Sequence, residues 1–168
     1  MEIDTRAIRR LRDHLLAHPE PPEPGTGEQR DVASPWTGSA IARRVEPFAE
    51  TMFLVMMADG EPDAAERRAL LGALNVLTEG QVSSALFEAM LDRFATQAQR
   101  EGVEGRIARL GARLGADQDE RETAFTLAAA IALADDRVHA RENHTLAMIR
   151  EYYGVSARRM AALLDTMD

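Results

Sequence analysis

The sequence of 168 residues contains no cysteine and no lysine. Without cysteine the chain has no disulfide, no thiolate zinc site and no cysteine nucleophile. All 20 of its basic residues are therefore arginine. Together with the abundance of alanine, glycine and leucine, this usage is typical of a GC-rich bacterial genome.

Long apolar runs are also missing from the chain. No apolar stretch approaches the roughly 20 residues that span a bilayer. The stretch before Pro19 has no apolar core long enough for a signal peptide. We therefore expect a cytoplasmic protein that does not insert into a membrane.

Positive charge is outnumbered, with 28 acidic residues against 20 basic ones and a net charge of −8. Nucleic-acid binding depends on clustered cationic side chains that displace counterions from phosphates. We therefore predict no nucleic-acid partner. Divalent cations and basic protein surfaces fit the charge better.

The chain length allows one domain with an arm. Residues 1–18 form an amphipathic pattern with Ile8, Leu11 and Leu15 on one face, which predicts an N-terminal helix. Residues 19–37 are rich in proline and glycine and predict a linker, at whose end Trp36 anchors the linker to the core. Residues 38–168 then form the domain.

This domain carries helical periodicity throughout, without the alternation typical of strands. Pro47 interrupts the first helix as a kink or as the first position of a new helix. We predict an all-α bundle whose helices cover about 39–58, 62–78, 82–99, 103–115, 118–134, 139–153 and 156–167.

An internal repeat is visible within these helices. Asp59 and Glu66 align with Asp135 and Glu142 at an offset of 76 residues, and the match resumes, three residues tighter, at Val82 and Val155. We predict two pseudo-symmetric helix-turn-helix repeats, over about 39–99 and 118–168. Each needs the other to bury its apolar face. In copy one this face includes Met52, Val55, Met56, Leu70, Leu74 and Leu77, and in copy two Leu127, Ile131, Leu146 and Ile149.

The first acidic turn has two explanations. Gly60 can end a helix in the left-handed conformation, Pro62 can open the next helix, and Asp63 with Glu66 has the spacing of a capping box. Capping alone therefore accounts for this turn.

Capping accounts less well for the second turn. There Asp136, Val138 and His139 replace the glycine, proline and aspartate, yet Asp135 and Glu142 persist at the same spacing. Paired carboxylates are oxygen ligands for hard cations such as Ca²⁺ or Mg²⁺. The first loop is not an EF-hand, because its twelfth position, counted from Asp59, is Leu70 rather than glutamate. We therefore expect weak binding, on the order of 10⁻⁴–10⁻³ M, unless both copies share one site.

Residues 57–66, which begin Met-Ala-Asp-Gly-Glu and end on glutamate seven residues after the aspartate, resemble the acidic signature of TerB-like domains of the tellurite-resistance TerB family. The resemblance covers about residues 39–167. It implies an all-helical fold with duplicated halves, a non-enzymatic role in stress resistance, divalent-cation binding, and protein partners that include membrane-associated Ter-type proteins. It assigns the metal ligands to Asp59, Glu66, Asp135 and Glu142. Auxiliary candidates are Glu61, Asp63 and His139.

Other interpretations stay open. The chain can be a pure interaction scaffold whose acidic turns are only caps. A metal-dependent hydrolase ranks last, because it needs two ions about 3.5–4 Å apart and no motif positions a nucleophile or base. His14 and His18 have metal-ligand spacing but lack a third ligand, so we interpret them as solvated. We predict no catalytic residues and no organic cofactor.

Overall fold

The computed structural model describes residues 40–60, 62, 64–114, 117–132 and 140–165. Within these ranges the chain forms helices and no strand, which confirms the predicted all-α class. The α-helices are α1 (Ala40–Met56), α2 (Ala64–Leu77), α3 (Ser84–Glu101), α4 (Val103–Arg113), α5 (Gln118–Ala132), α6 (Ala140–Tyr152) and α7 (Ala157–Asp165). A short 3₁₀ helix, η1 (Met57–Asp59), extends α1. The predicted N-terminal helix, the linker, Trp36, His14 and His18 lie outside the described residues.

Helix α1 runs without a break through Pro47, so the prediction that Pro47 starts a new helix is wrong. Proline has no N–H to donate to the carbonyl of Arg43 one turn earlier. A guanidinium nitrogen of Arg113 lies 3.5 Å from that carbonyl oxygen and partly replaces the missing donor. Burial of the helix then outweighs the lost backbone bond, because every residue from Pro47 to Met56 is buried.

Helix α1 forms the centre of the bundle. It packs most extensively against α5 and also contacts α2, α3, α4 and α6. The buried face of α5 is largely alanine, which lets two helices approach closely. The bulky side chains Phe48 and Phe53 of α1 are also buried in the core.

The predicted core is largely confirmed. All six apolar residues predicted for copy one are buried, and so are Leu127, Ile131 and Ile149 of copy two. Leu146 is only partly buried and packs at the margin of the core. The structure adds an aromatic layer from α3, in which Phe94 lies 6.0 Å from Phe53 between ring centroids.

The third helix of each predicted copy begins in the same way. Ser83 accepts a hydrogen bond from the amide of Leu86, and Ser156 accepts one from the amide of Arg159. Both are therefore N-caps. In front of them, the loop after α2 has positive φ at Glu79 (52°) and Gly80 (72°), and the loop after α6 has it at Gly154 (67°). Copy one thus has two left-handed residues before Val82, and copy two has one before Val155. The two-fold relation of the copies stays a prediction.

The described part of the chain contains no helix long and apolar enough to cross a membrane.

Candidate functional site

The first acidic turn leaves α1 through the 3₁₀ helix η1, which ends at Asp59. Gly60 follows with φ 141° and ψ −157°, and its amide donates a 3.2 Å hydrogen bond to the carbonyl of Met57. This is not the left-handed helical conformation expected for Gly60, so that detail of the prediction is wrong. The observed conformation is still one that glycine alone adopts readily. A glycine is therefore required here by backbone geometry.

The second half of this turn starts the next helix later than predicted. Helix α2 begins at Ala64, so Pro62 precedes the helix instead of opening it. Glu66 lies in the first turn of α2 and is half-buried. Glu61 and Asp63 lie outside the described residues, so the capping box stays a prediction.

The second acidic turn is described only at its far end. Asp135, Asp136 and His139 lie outside the described residues, while Glu142 is the third residue of α6. For Asp59 and Glu142 only the backbone position is described. Among the described residues, no group of three or more histidine, aspartate and glutamate side chains could hold a metal ion. The ligand assignment therefore stays a prediction.

The backbone does show which end of the bundle the acidic residues share. Tyr153, directly after α6, meets Thr51 in the middle of α1. The 3₁₀ helix η1 follows Thr51 in the chain and also contacts α6. Every residue of α6 precedes Tyr153 in the chain. Helices α1 and α6 therefore run antiparallel, and the end of α1 lies on the side of the start of α6. Asp59 of copy one and Glu142 of copy two thus belong to the same end of this helix pair.

A buried hydrogen-bond chain fixes the alignment of the pair. The Thr51 hydroxyl donates to the carbonyl oxygen of Pro47 at 2.7 Å. Its single proton is then used, so the Tyr153 hydroxyl donates to the Thr51 oxygen, at 2.6 Å. Burial raises the pKa of Tyr153, although the hydrogen bond with Thr51 opposes that rise. The phenol therefore stays protonated and remains a donor at neutral pH.

Helix α4 holds α6 from a second side. Gly111 packs so closely on the end of α6 that a Cβ at this position would lie 2.5 Å from the carbonyl oxygen of Tyr152. Such a separation is far below van der Waals contact, so only glycine fits without movement of a helix. The position of α6 beside η1 therefore depends on the absence of a side chain at residue 111.

A buried ion pair ties α4 to α1. Arg106 donates from Nε to one carboxylate oxygen of Glu50 at 2.7 Å and from Nη2 to the other at 3.0 Å. Its third nitrogen, Nη1, reaches Glu101 at 3.1 Å. The Glu50 side chain is only 1% exposed, so its charge depends on the arginine for compensation. The arginine fork therefore fixes both the spacing and the register of the two helices.

The sequence interpretation missed Gly111, Arg106 and Glu50. A usable signal was present for the ion pair, because Glu50 and Arg106 each interrupt an apolar helix face with charges of opposite sign. Gly111 carried a weaker signal, as a glycine between Leu110 and a predicted helix end.

Comparison with protein families places these observations in context. A family model described as "Tellurite resistance protein TerB" matches residues 48–165, more than two thirds of the chain. The match spans both acidic turns and runs from the middle of α1 to the end of α7. No curated protein and no solved structure matches the chain. The all-helical fold and the extent of the family match together show that the chain belongs to the TerB family.

Proposed function

We propose that this TerB-family chain is a non-enzymatic stress-response module that binds a divalent cation weakly and docks onto a protein partner. The ligands are the carboxylates of Asp59, Glu66, Asp135 and Glu142. The cation is Ca²⁺ or Mg²⁺, both of which prefer oxygen ligands. The tellurite-resistance role is proposed from the description of the matching family.

The cation proposal rests on one observation, which is the antiparallel packing of α6 beside η1. The sequence alone pairs the carboxylates within each copy, as Asp59 with Glu66 and Asp135 with Glu142. The packing instead supports a site shared between copies, because the turn that carries Asp59 lies on the side of the start of α6. A shared site would gather up to four carboxylates, whereas a single turn offers two.

The fixed position of α6 also supports the proposal. A cation with few protein ligands binds more tightly when those ligands are held in place before it arrives. Here α6 is fixed against α1 by Tyr153 and against α4 by Gly111. Both contacts hold the end of α6 opposite Glu142, so they position the backbone of Glu142 only through the helix that joins them.

The experiment is a thermal unfolding series with and without Ca²⁺, Mg²⁺ and Mn²⁺ at constant ionic strength. At ten times Kd, one bound ion adds about 1.4 kcal/mol to the free energy of unfolding, a rise of roughly 3–5 °C in Tm for a domain of this size. The double variant Asp59→Asn with Asp135→Asn is expected to lose that rise.

The matched control is the double variant Glu104→Gln with Glu151→Gln, which removes the same charge from exposed positions. Glu151 lies at the opposite end of α6 from Glu142, so the cation response is expected to persist. A Tm that none of the three ions raises at 10 mM contradicts the proposal. So does a rise that survives the substitution of both aspartates. Either result favours an interaction scaffold whose acidic turns are only caps.

The docking part of the proposal is tested separately. A protein that co-purifies with the wild-type chain is expected to be released when the cation is removed with a chelator. If the partner stays bound without the cation and to the Asp59→Asn, Asp135→Asn variant, partner binding does not use the cation site.

A further inference from the structure

A polar cleft lies between the start of α5 and the start of α7, away from η1. It has a volume of about 180 Å³ and is lined among others by Gln118, Arg121, Glu122, Gly154, Ser156 and Arg159. Glu66, whose side chain is described, does not line it. Its charged side chains are two arginines and one glutamate, so its surface is positively charged within a chain whose net charge is −8.

The glutamate and one of the arginines neutralise each other. Arg159 reaches one carboxylate oxygen of Glu122 at 2.8 Å from Nε and at 2.7 Å from Nη2. Gln118 donates to the other oxygen at 2.9 Å. These contacts hold the pKa of Glu122 below its usual value, chiefly through the hydrogen bond from Arg159 and despite the opposing effect of burial. Glu122 is therefore an anion whose oxygens are hydrogen-bonded to Arg159 and Gln118. Arg121 also lowers its pKa through its charge, and with two arginines against one glutamate the cleft keeps a net positive charge.

Arg121 has no such partner among the described residues. Its Nε is buried and makes no hydrogen bond. Its Nη1 lies toward Gly154, where an added Cβ would come within 3.8 Å of it. Buried N–H groups are almost always paired in folded proteins, and a charged one left unpaired is costly. Because Arg121 lines the cleft, an acceptor that enters it can pair with the terminal nitrogens of this guanidinium.

The start of α7 adds favourable backbone charge on the same side. Ser156 lines the cleft and is the N-cap of α7, and its hydroxyl is already used by the amide of Arg159. A helix N-terminus carries partial positive charge and unpaired amides, both of which favour an anion. Two independent features, the guanidinium of Arg121 and this helix start, therefore border one cavity.

We propose that this cleft binds a phosphate group, either as the free ion or at the end of a phosphomonoester. The planar fork of Arg121 pairs with two oxygens of a phosphate, as arginine commonly does. The α7 amides bind a third oxygen. Glu122 keeps Arg159 at the rim, so that a single net positive charge faces the ligand.

The test is a titration with inorganic phosphate, followed by the amide signals of the full chain in two-dimensional NMR at constant ionic strength. Saturable shifts are expected at Arg121, Gly154 and Ala157. Arg121→Gln is expected to weaken binding by about tenfold or more, because a charge-assisted bidentate pair is lost. Arg158→Gln removes the same charge from an exposed α7 position outside the cleft, and it is expected to change the Kd less than twofold.

A second variant, Arg121→Lys, keeps the charge and guards against misfolding of the glutamine variant. It is expected to weaken binding by about threefold or more, since an ammonium cannot form the fork. A parallel titration with glycerol phosphate separates the two sources. Tighter binding of the ester identifies a phosphomonoester ligand, and equal or weaker binding identifies the free ion. Absence of saturable shifts with either ligand overturns the proposal, as does equal weakening by Arg121→Gln and Arg158→Gln.

Discussion

Replacement of Gly111 by alanine is expected to destabilise the fold, although alanine is the better helix former. The added Cβ would lie 2.5 Å from the carbonyl oxygen and 3.0 Å from the carbonyl carbon of Tyr152. Both are backbone atoms, so no side-chain rotation relieves the clash, and α4 and α6 must separate by about 1 Å to restore ordinary contact. Overpacking of this kind costs about 1–3 kcal/mol, against a helix-propensity gain of about 1 kcal/mol. The difference is a net loss of up to about 2 kcal/mol.

The assay is urea unfolding followed by circular dichroism, with Gly72→Ala as the matched control. Gly72 lies inside α2 with nothing within 4 Å of an added Cβ, so the same substitution is expected to stabilise the protein by about 0.5–1 kcal/mol. The two variants should therefore shift the midpoint in opposite directions. If Gly111→Ala is as stable as Gly72→Ala, the close packing of α4 on α6 is wrong.

Two further variants test the charged contacts. Arg106→Met leaves the carboxylate of Glu50 buried without a partner and is expected to cost about 3–5 kcal/mol in urea unfolding. The exposed Arg109→Met is expected to cost less than about 0.5 kcal/mol, and equal losses would refute the role of the buried pair. The pKa of Glu122 is lowered in the folded state. The ionised carboxylate therefore stabilises the fold above its ordinary pKa of 4.5, and this stabilisation is lost as the pH falls through the folded pKa. Arg159→Gln should therefore flatten the loss of stability below about pH 4.5, and an unchanged acid profile would contradict this reasoning.

The helices could be predicted from the sequence because their signals are local. The apolar spacing of Met52, Val55 and Met56 defines a buried face whatever packs on it, and all three are buried. The alanines of α5 predict close helix packing but do not say which helix is the partner. That partner, α1, is determined by contacts between residues far apart in the chain.

The acidic turns could be located from the sequence, but their geometry could not. A glycine can adopt several turn conformations, and Gly60 adopts φ 141° rather than the expected left-handed helical value. Pro47 predicts a break in the helix, but burial of α1 keeps the helix continuous through it. In both cases the tertiary environment decides among conformations that the local sequence permits.

The pairing of acidic residues between copies also lay beyond the sequence pattern. An offset of 76 residues relates Asp59 to Asp135 and Glu66 to Glu142, but periodicity does not indicate which pair meets in space. The antiparallel arrangement of α1 and α6 follows from the hydrogen bond between Tyr153 and Thr51, 102 positions apart, together with the contact of η1 with α6. Aligning the two copies gave no reason to single out that contact.

Substoichiometric Mn²⁺ added to the ¹⁵N-labelled chain tests the central claim most directly. The paramagnetic ion broadens the amide signals nearest to it. If one cation binds where η1 meets the start of α6, the amides of residues 57–60 and 140–143 should broaden together, while Gly154 at the far end of α6 stays sharp. Broadening at one of the two segments alone, or spread evenly over the exposed acidic residues, would contradict a site shared between the two copies.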